Sequence, residues 1–420
     1  MLSSFLNAWK MDDLRGKILF TLAMFFVFRV GAHVPVPGIN TDVLSQIVSE
    51  GLLFGFFDVI SGGSFSAFTV FAMSITPYIN ASIIMQLLTI VIPHLEKLSK
   101  EGEEGRKKIA QYIRYGTVVL GFIQAIGMSY ALSQYGVIVN PTFGNLMVIA
   151  VTLTAGTAFL MWLGELITER GIGNGISLII FAGIVSSIPG GLVTIIEYIQ
   201  AGTVNIFSVL LFLIIGLLVI AGVVAVHEGQ RRIPVQYAKR VVGRKVYGGQ
   251  STHIPLKVNQ AGVIPVIFAM SILLFPQTIA SWFQGSTIAR LVDTYFNFAS
   301  IPYMIVYASL IVFFTYFYTA VTFNPADVAD NMKKYGGFIP GLRPGKPTAE
   351  YIDRVLTRIT LAGALFLAAI AVMPNIIMKI TGLNIFFGGT ALIIVVGVAL
   401  ETMKQIESHL LMRHYQGFMK

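Results

Sequence analysis

Not one cysteine occurs in the 420 residues, so no disulfide, thiolate nucleophile or cysteine-held metal is open to this chain. Charge is scarce as well: 12% of residues are Asp, Glu, Lys or Arg, about half the share of an ordinary soluble domain. The six histidines (33, 94, 227, 253, 409 and 414) show no metal-ligand spacing, and His227-Glu228 continues as Gly-Gln-Arg rather than as HExxH. The Gly171-x-Gly-x-Gly run opens no βαβ unit and there is no phosphate-cradling loop, so a nucleotide fold is excluded. No cofactor is called for. A chain that helps to move something without such chemistry takes its energy from a partner.

Long apolar runs are what the sequence does have. A hydrocarbon core about 30 Å thick needs about 20 mostly apolar helical residues. Ten runs qualify, near 18–36, 67–92, 115–135, 146–164, 176–195, 206–226, 259–279, 301–323, 359–377 and 383–400. With 55% hydrophobic residues and a mean hydropathy of +0.77, they define an all-α integral membrane protein.

All but three of the 29 Lys and Arg residues (Arg29, Arg290 and Lys379) fall in every second gap between these runs: 1–17, 93–114, 165–175, 227–258, 324–358 and 401–420. The positive-inside rule makes those segments and both termini cytoplasmic. Segment 1–17 carries no small-residue cleavage site after its apolar run, so the first span is expected to be retained.

Four spans are interrupted, and such interruptions mark pathways. Gly55 to Ser66, too polar and glycine-rich to face lipid, runs into the second span, where Pro77 is expected to kink the helix. Val263-Ile-Pro265 lies near the start of the seventh, Gly171-Ile-Gly173-Asn-Gly175 opens the fifth, and Phe386-Phe-Gly388-Gly389 opens the tenth. Cut after the fifth span, the chain gives two halves, 1–200 and 201–420, in which spans two and seven correspond, as do five and ten. Five spans per half is odd, so the halves are inverted and a pathway is expected between them.

Ile75 and Ile79 are four apart, as are Ile176 and Ile180, so each pair shares a helix face; Ile267 and Ile394 sit at comparable depths in the other two interrupted spans. Isoleucine in a membrane helix ordinarily faces lipid or a neighbouring helix. The second reading is a ring that excludes water from a narrow passage by dewetting. No Asp or Glu falls in any span, and Arg29 calls for carbonyl partners or an interior acid such as Asp58. A secondary solute transporter built on inverted repeats, the alternative, needs a polar site near the midplane, which this lack of charge disfavours. An intramembrane hydrolase lacks a nucleophile and base.

Two loops are far longer than the few residues that usually join helices. Segment 227–258 alternates Ile233, Val235 and Tyr237 ahead of Lys239, Arg240, Gly243, Arg244 and Lys245, which predicts a protruding β-hairpin. Segment 324–358 carries Lys333 and Lys334, and Pro340, Gly341, Pro344 and Gly345 stiffen a turn that presents Arg343. Anionic lipid accounts for much of this charge, while the length and Pro/Gly punctuation suit an acidic protein or ribosomal RNA.

These motifs together resemble the SecY family, channel subunits of the bacterial Sec protein-conducting translocon. The likeness rests on Arg29-Val-Gly, Pro35-Val-Pro-Gly-Ile39, Ser61-Gly-Gly, the run from Pro77 to Ile84, Gly102 to Tyr112, Gly164 to Ser177, Gly229-Gln-Arg-Arg232 and Tyr237-Ala-Lys-Arg240. It implies two pseudo-symmetric five-helix halves around an hourglass pore in the cell membrane, with the ring on Ile75, Ile79, Ile176, Ile180, Ile267 and Ile394. It implies a plug half-helix formed by Phe57, Asp58, Val59, Ile60, Ser61, Gly62, Gly63 and Ser64. Spans two and seven, with three and eight, are expected to part sideways and release signal peptides and membrane segments of preproteins into lipid. Arg240, Arg244, Lys245, Lys333, Lys334 and Arg343 are expected to dock a SecA ATPase or the ribosome. SecE-like and SecG-like membrane subunits complete the implied assembly.

Overall fold

The computed structural model describes residues 9, 11–50, 58–59, 61–202, 205–237, 240–242, 245–247, 251–283, 286–297, 300–381 and 389–417. Every one of the ten apolar runs contains helix. In chain order the helices are α1 (Asp12–Gly31), α2 (Thr41–Glu50), α3 (Thr76–Val91), α4 (Pro93–Lys100), α5 (Glu103–Gln134), α6 (Phe143–Arg170), α7 (Gly175–Gln200) and α8 (Ile206–Glu228). After strands β1 (Gln230–Tyr237), β2 (Arg240–Val242), β3 (Lys245–Tyr247) and β4 (Ser251–Lys257) come α9 (Ile264–Trp282), α10 (Thr287–Tyr295), α11 (Ile301–Thr322), α12 (Pro325–Lys334), β5 (Gly337–Phe338), α13 (Lys346–Thr381) and α14 (Gly389–Gly417).

Side-chain caps set several starts. The Thr142 hydroxyl and the Asn174, Asn205 and Asn324 side-chain oxygens accept from the first free N–H groups of α6, α7, α8 and α12. Among the described residues six helices are long and apolar enough to cross a membrane, or seven if α3 and α4, bent by 101° at Ile92, count as one broken span. Helix α9 is apolar but shorter.

The second apolar run corrects an expectation. Pro77 does not kink a helix; it occupies the first turn of α3, where its missing N–H costs nothing. Residues 67–75 are a chain of turns, with Phe68 and Ser74 at φ of +41° and +52°. The run is therefore in two pieces as expected, but the division falls before the proline. The prolines lying inside helices are Pro189, Pro276 and Pro374.

A large apolar core gathers residues from α1, α3, α6, α7, α8, α9, α11, α13 and α14. A second packs the turns around Phe65 and Phe68 with Leu44, Leu132 and Leu153. Two seams join elements before residue 200 to elements after it: α9 packs on α3 and α5, and α14 packs on α7.

The two long loops prove to be one lobe. β1 pairs antiparallel with β4 along its length (Gln230 with Lys257, Gln236 with Ser251), and β2 with β3, which gives the predicted hairpin. The other edge of β1 takes β5 from the second loop, Gln236 opposite Phe338 and Tyr237 opposite Gly337. Ile233, Val235 and Leu256 from the first loop share a small core with Met332, Ile339 and Ile352.

Candidate functional site: an aliphatic constriction

Helix starts position the isoleucines. Ile75 precedes α3 and its carbonyl accepts from the Ile79 N–H at 3.1 Å, so the two stack on one face. Ile176 and Ile180 fill the first turns of α7, Ile267 the first turn of α9 and Ile394 the second turn of α14. All six lie in or against the one large core, and Ile75, Ile79, Ile180, Ile267 and Ile394 are each at most 7% exposed. Ile176 is half-buried at the margin, and a β-carbon on Gly164 of α6 would lie 2.5 Å from its Cδ1.

The start of α7 is pinned from three sides. Asn174 accepts from the Ile176 and Ser177 N–H groups, Thr21 Oγ1 of α1 accepts from Ile172 N at 3.1 Å, and Gln405 Oε1 of α14 accepts from Gly173 N at 2.9 Å. Gly173 takes φ +88° to make this turn, and a β-carbon on Gly175 would lie 1.9 Å from the Gly164 carbonyl oxygen. The glycines thus let α7 cross α6 with backbones in contact.

Of the expected plug residues, Phe57 and Ile60 lie outside the described residues. Asp58 and Val59 are helical. The Asp58 carboxylate accepts from Ser66 N at 2.7 Å, and its carbonyl accepts from Gly63 N at 2.9 Å and from Ser61 Oγ at 3.1 Å. Ser61 and Ser64 are buried. One guanidinium holds this knot in place: Arg29 Nη1 donates to the Gly62 carbonyl at 2.9 Å and to Ser186 Oγ of α7 at 3.3 Å. Arg29 thus takes a carbonyl rather than Asp58. Gly62, at φ +68°, has no room for a β-carbon, which would lie 2.5 Å from Ser186 Oγ and 3.0 Å from the Gly183 backbone.

Gly183 and Ser186 are functional candidates that the sequence reading passed over. Their signal was a small residue and a hydroxyl three apart on one face of an otherwise aliphatic span.

Among the expected docking residues, Arg244 lies outside the described residues. Arg240 and Lys245 stand in β2 and β3. Lys333 and Lys334 end α12 and are exposed, as is Arg343, whose carbonyl accepts from Thr348 Oγ1 at 2.9 Å. A β-carbon on Gly345 would lie 4.0 Å from Lys333 Cδ, so the two basic tips of the second loop are neighbours.

These features define a polytopic helical membrane protein with a large buried apolar core and a hydrogen-bonded knot tied to α7. The SecY family model matches residues 69–403. The protein translocase subunit SecY of Halalkalibacterium halodurans is 53% identical over 425 residues, with 99% of each chain covered. That of Escherichia coli (strain K12) is 48% identical over 419 residues, covering 98% of this chain and 95% of the other. A solved structure of a protein conducting channel shares the fold with a TM-score of 0.69 at 21% identity, covering 95% of this chain and 93% of that one. Sec61 in the canine ribosome–channel complex matches with a TM-score of 0.63 at 18% identity, with the same coverage. The chain belongs to the SecY family.

Proposed function

We propose that this chain is the passive channel of a protein translocase, passing unfolded secretory proteins across the cell membrane and releasing membrane segments sideways into lipid. The observation that carries the reading is the convergence of Ile75, Ile79, Ile180, Ile267 and Ile394, from four helices on both sides of residue 200, in one buried cluster. Aliphatic side chains from separate helices exclude water at rest and part around a chain.

In this reading the ten apolar runs are ten spans in two inverted halves, 1–200 and 201–420, with both termini cytoplasmic. The knot from Asp58 to Ser64 is the plug. The seam of α9 against α3 and α5 is the lateral gate, and the gap between α5 and α11 opens with it. A SecE-like subunit braces the halves with a SecG-like subunit at the periphery, and anionic lipid meets the basic loops.

The experiment is crosslinking of a stalled secretory precursor to single probes at Ile79, Ile180 and Ile394 in membranes. Adducts are expected at all three, and their absence removes the isoleucines from the path.

The lobe is the dock for a SecA motor or for the ribosome and its RNA, which supply the energy. The Sec61 relative was solved in a ribosome–channel complex, which supports the ribosome as one partner. Arg343 is exposed, so Arg343→Glu is expected to leave the fold intact. Motor-driven export in proteoliposomes should fall about tenfold, the effect of roughly 1.4 kcal/mol of lost docking. Normal export would move the dock elsewhere.

A further inference from the structure

An ion pair that the proposed path leaves unused ties α5 to α6: Arg114 Nε donates to Glu165 Oε1 at 2.8 Å, across 51 residues of sequence. Its surroundings lead to the isoleucines. Glu165 follows Gly164, whose missing side chain makes room for Ile176 and Ile179 of α7. Tyr78, next to Ile79 at the start of α3, lies in the electrostatic field of both charges.

Helix α5 also packs on α3 and on α9, so it belongs to the seam as well as to the pair. Small residues face α3. A β-carbon on Gly116 would lie 3.5 Å from Ala81 Cβ and one on Gly121 3.7 Å from Pro77 Cβ, so at these points the two helices meet along a smooth surface that permits sliding.

Arg114 has a second acid within reach. Glu169 lies one turn after Glu165 on the same face of α6, about 5–6 Å away between β-carbons, and its charge also acts on Arg114. Glu169 is exposed and, among the described residues, holds no ion pair of its own. One guanidinium on a flexible stem thus has two carboxylates in line along a single helix, the first occupied and the second free.

We propose that Arg114 is a two-position switch that sets which signal segments open the channel, an inference that rests on the channel reading above. On Glu165 it holds α5, and α3 with it, in the closed arrangement. On Glu169 it holds the arrangement in which α5 has shifted along α6 and the seam with α9 has parted. A signal segment is accepted when its contacts at the seam outweigh the difference between the two pairs, so the two carboxylates act in opposite senses on one threshold.

The test uses the full chain with its partner subunits in proteoliposomes, one secretory precursor with its ordinary signal and one whose signal has a shortened apolar run. Glu165→Gln should raise export of the weakened precursor about fivefold, the upper end for a half-exposed pair, and Glu169→Gln should lower export of the ordinary precursor by a similar factor. Any other pattern overturns the switch. A wild-type chain that fails to export the ordinary precursor overturns the channel reading instead.

Exchanging the charges, Arg114→Glu with Glu165→Arg, keeps a bridge between α5 and α6 and so guards against misfolding. The carboxylate now on α5 pairs at the first position and is repelled by Glu169 at the second, which should slow export of the ordinary precursor about fivefold. A purely structural bridge predicts wild-type rates in the exchanged variant, and that result overturns the proposal.

Discussion

Ile180→Asn is expected to raise the resting ion leak of the reconstituted chain by about tenfold or more in planar-bilayer recordings. Ile180 is 2% exposed, within the apolar cluster that carries Ile75, Ile79, Ile267 and Ile394. Water stays out of such a constriction because no wall atom replaces the hydrogen bonds it gives up. A carboxamide supplies them, and each ~1.4 kcal/mol removed from the barrier is about tenfold in flux. Asn is somewhat smaller than Ile, so the backbone needs no shift to accept it. Ile79→Asn should act in the same direction, because Ile79 belongs to the same cluster from α3. A correctly inserted variant with wild-type leak would take these residues out of the proposed constriction.

Arg29→Ala should release the knot at Gly62, producing a leak or relaxed signal selectivity with the isoleucines untouched. The guanidinium bonds Gly62 and Ser186 at once and so ties the knot to α7. A charge-assisted bond at a partly exposed site contributes about 1–2 kcal/mol, which shifts the held-to-released ratio roughly 5- to 30-fold. Gly62→Val reaches the same end by another route: its β-carbon collides with Ser186 Oγ and the Gly183 backbone, at a φ that valine avoids. Ser186→Ala removes the 3.3 Å contact with Arg29 and the hydroxyl's own long 3.4 Å contact with the Gly62 carbonyl, but leaves the 2.9 Å Arg29–Gly62 bond, and should do less. Equal effects of Arg29→Ala and Ser186→Ala, or none from either, would sink the latch.

The long helices were legible because each demands a long apolar run, and every such run in the sequence contains helix in the structure. The turns at 67–75 were not. Phe68 and Ser74 take positive φ without being glycine, and Phe, Ala, Val and Met compose a turn as readily as a buried helix. Pro77 was visible, but composition alone does not separate a helix start from a kink.

The isoleucine positions were expected from spacing and from the resemblance, and in the structure they lie in or against one large buried core. The need of Arg29 for a partner was legible too, although Ser186 was not named. A hydroxyl in an aliphatic span announces a hydrogen bond without saying across which helix. The pairing of β5 with β1 left no trace, since Gly337-Phe338 is too short for any periodicity and its partner lies a hundred residues earlier.

That pairing has a consequence for cooperativity. Among the described residues the two long loops share one core, with Ile233, Val235 and Leu256 packed against Met332, Ile339 and Ile352 of the other. The loops therefore fray together, as one opening unit with a single free energy for both. Their amides should exchange hydrogen with one shared protection factor, and loosening at Gly337 should be felt at Leu256.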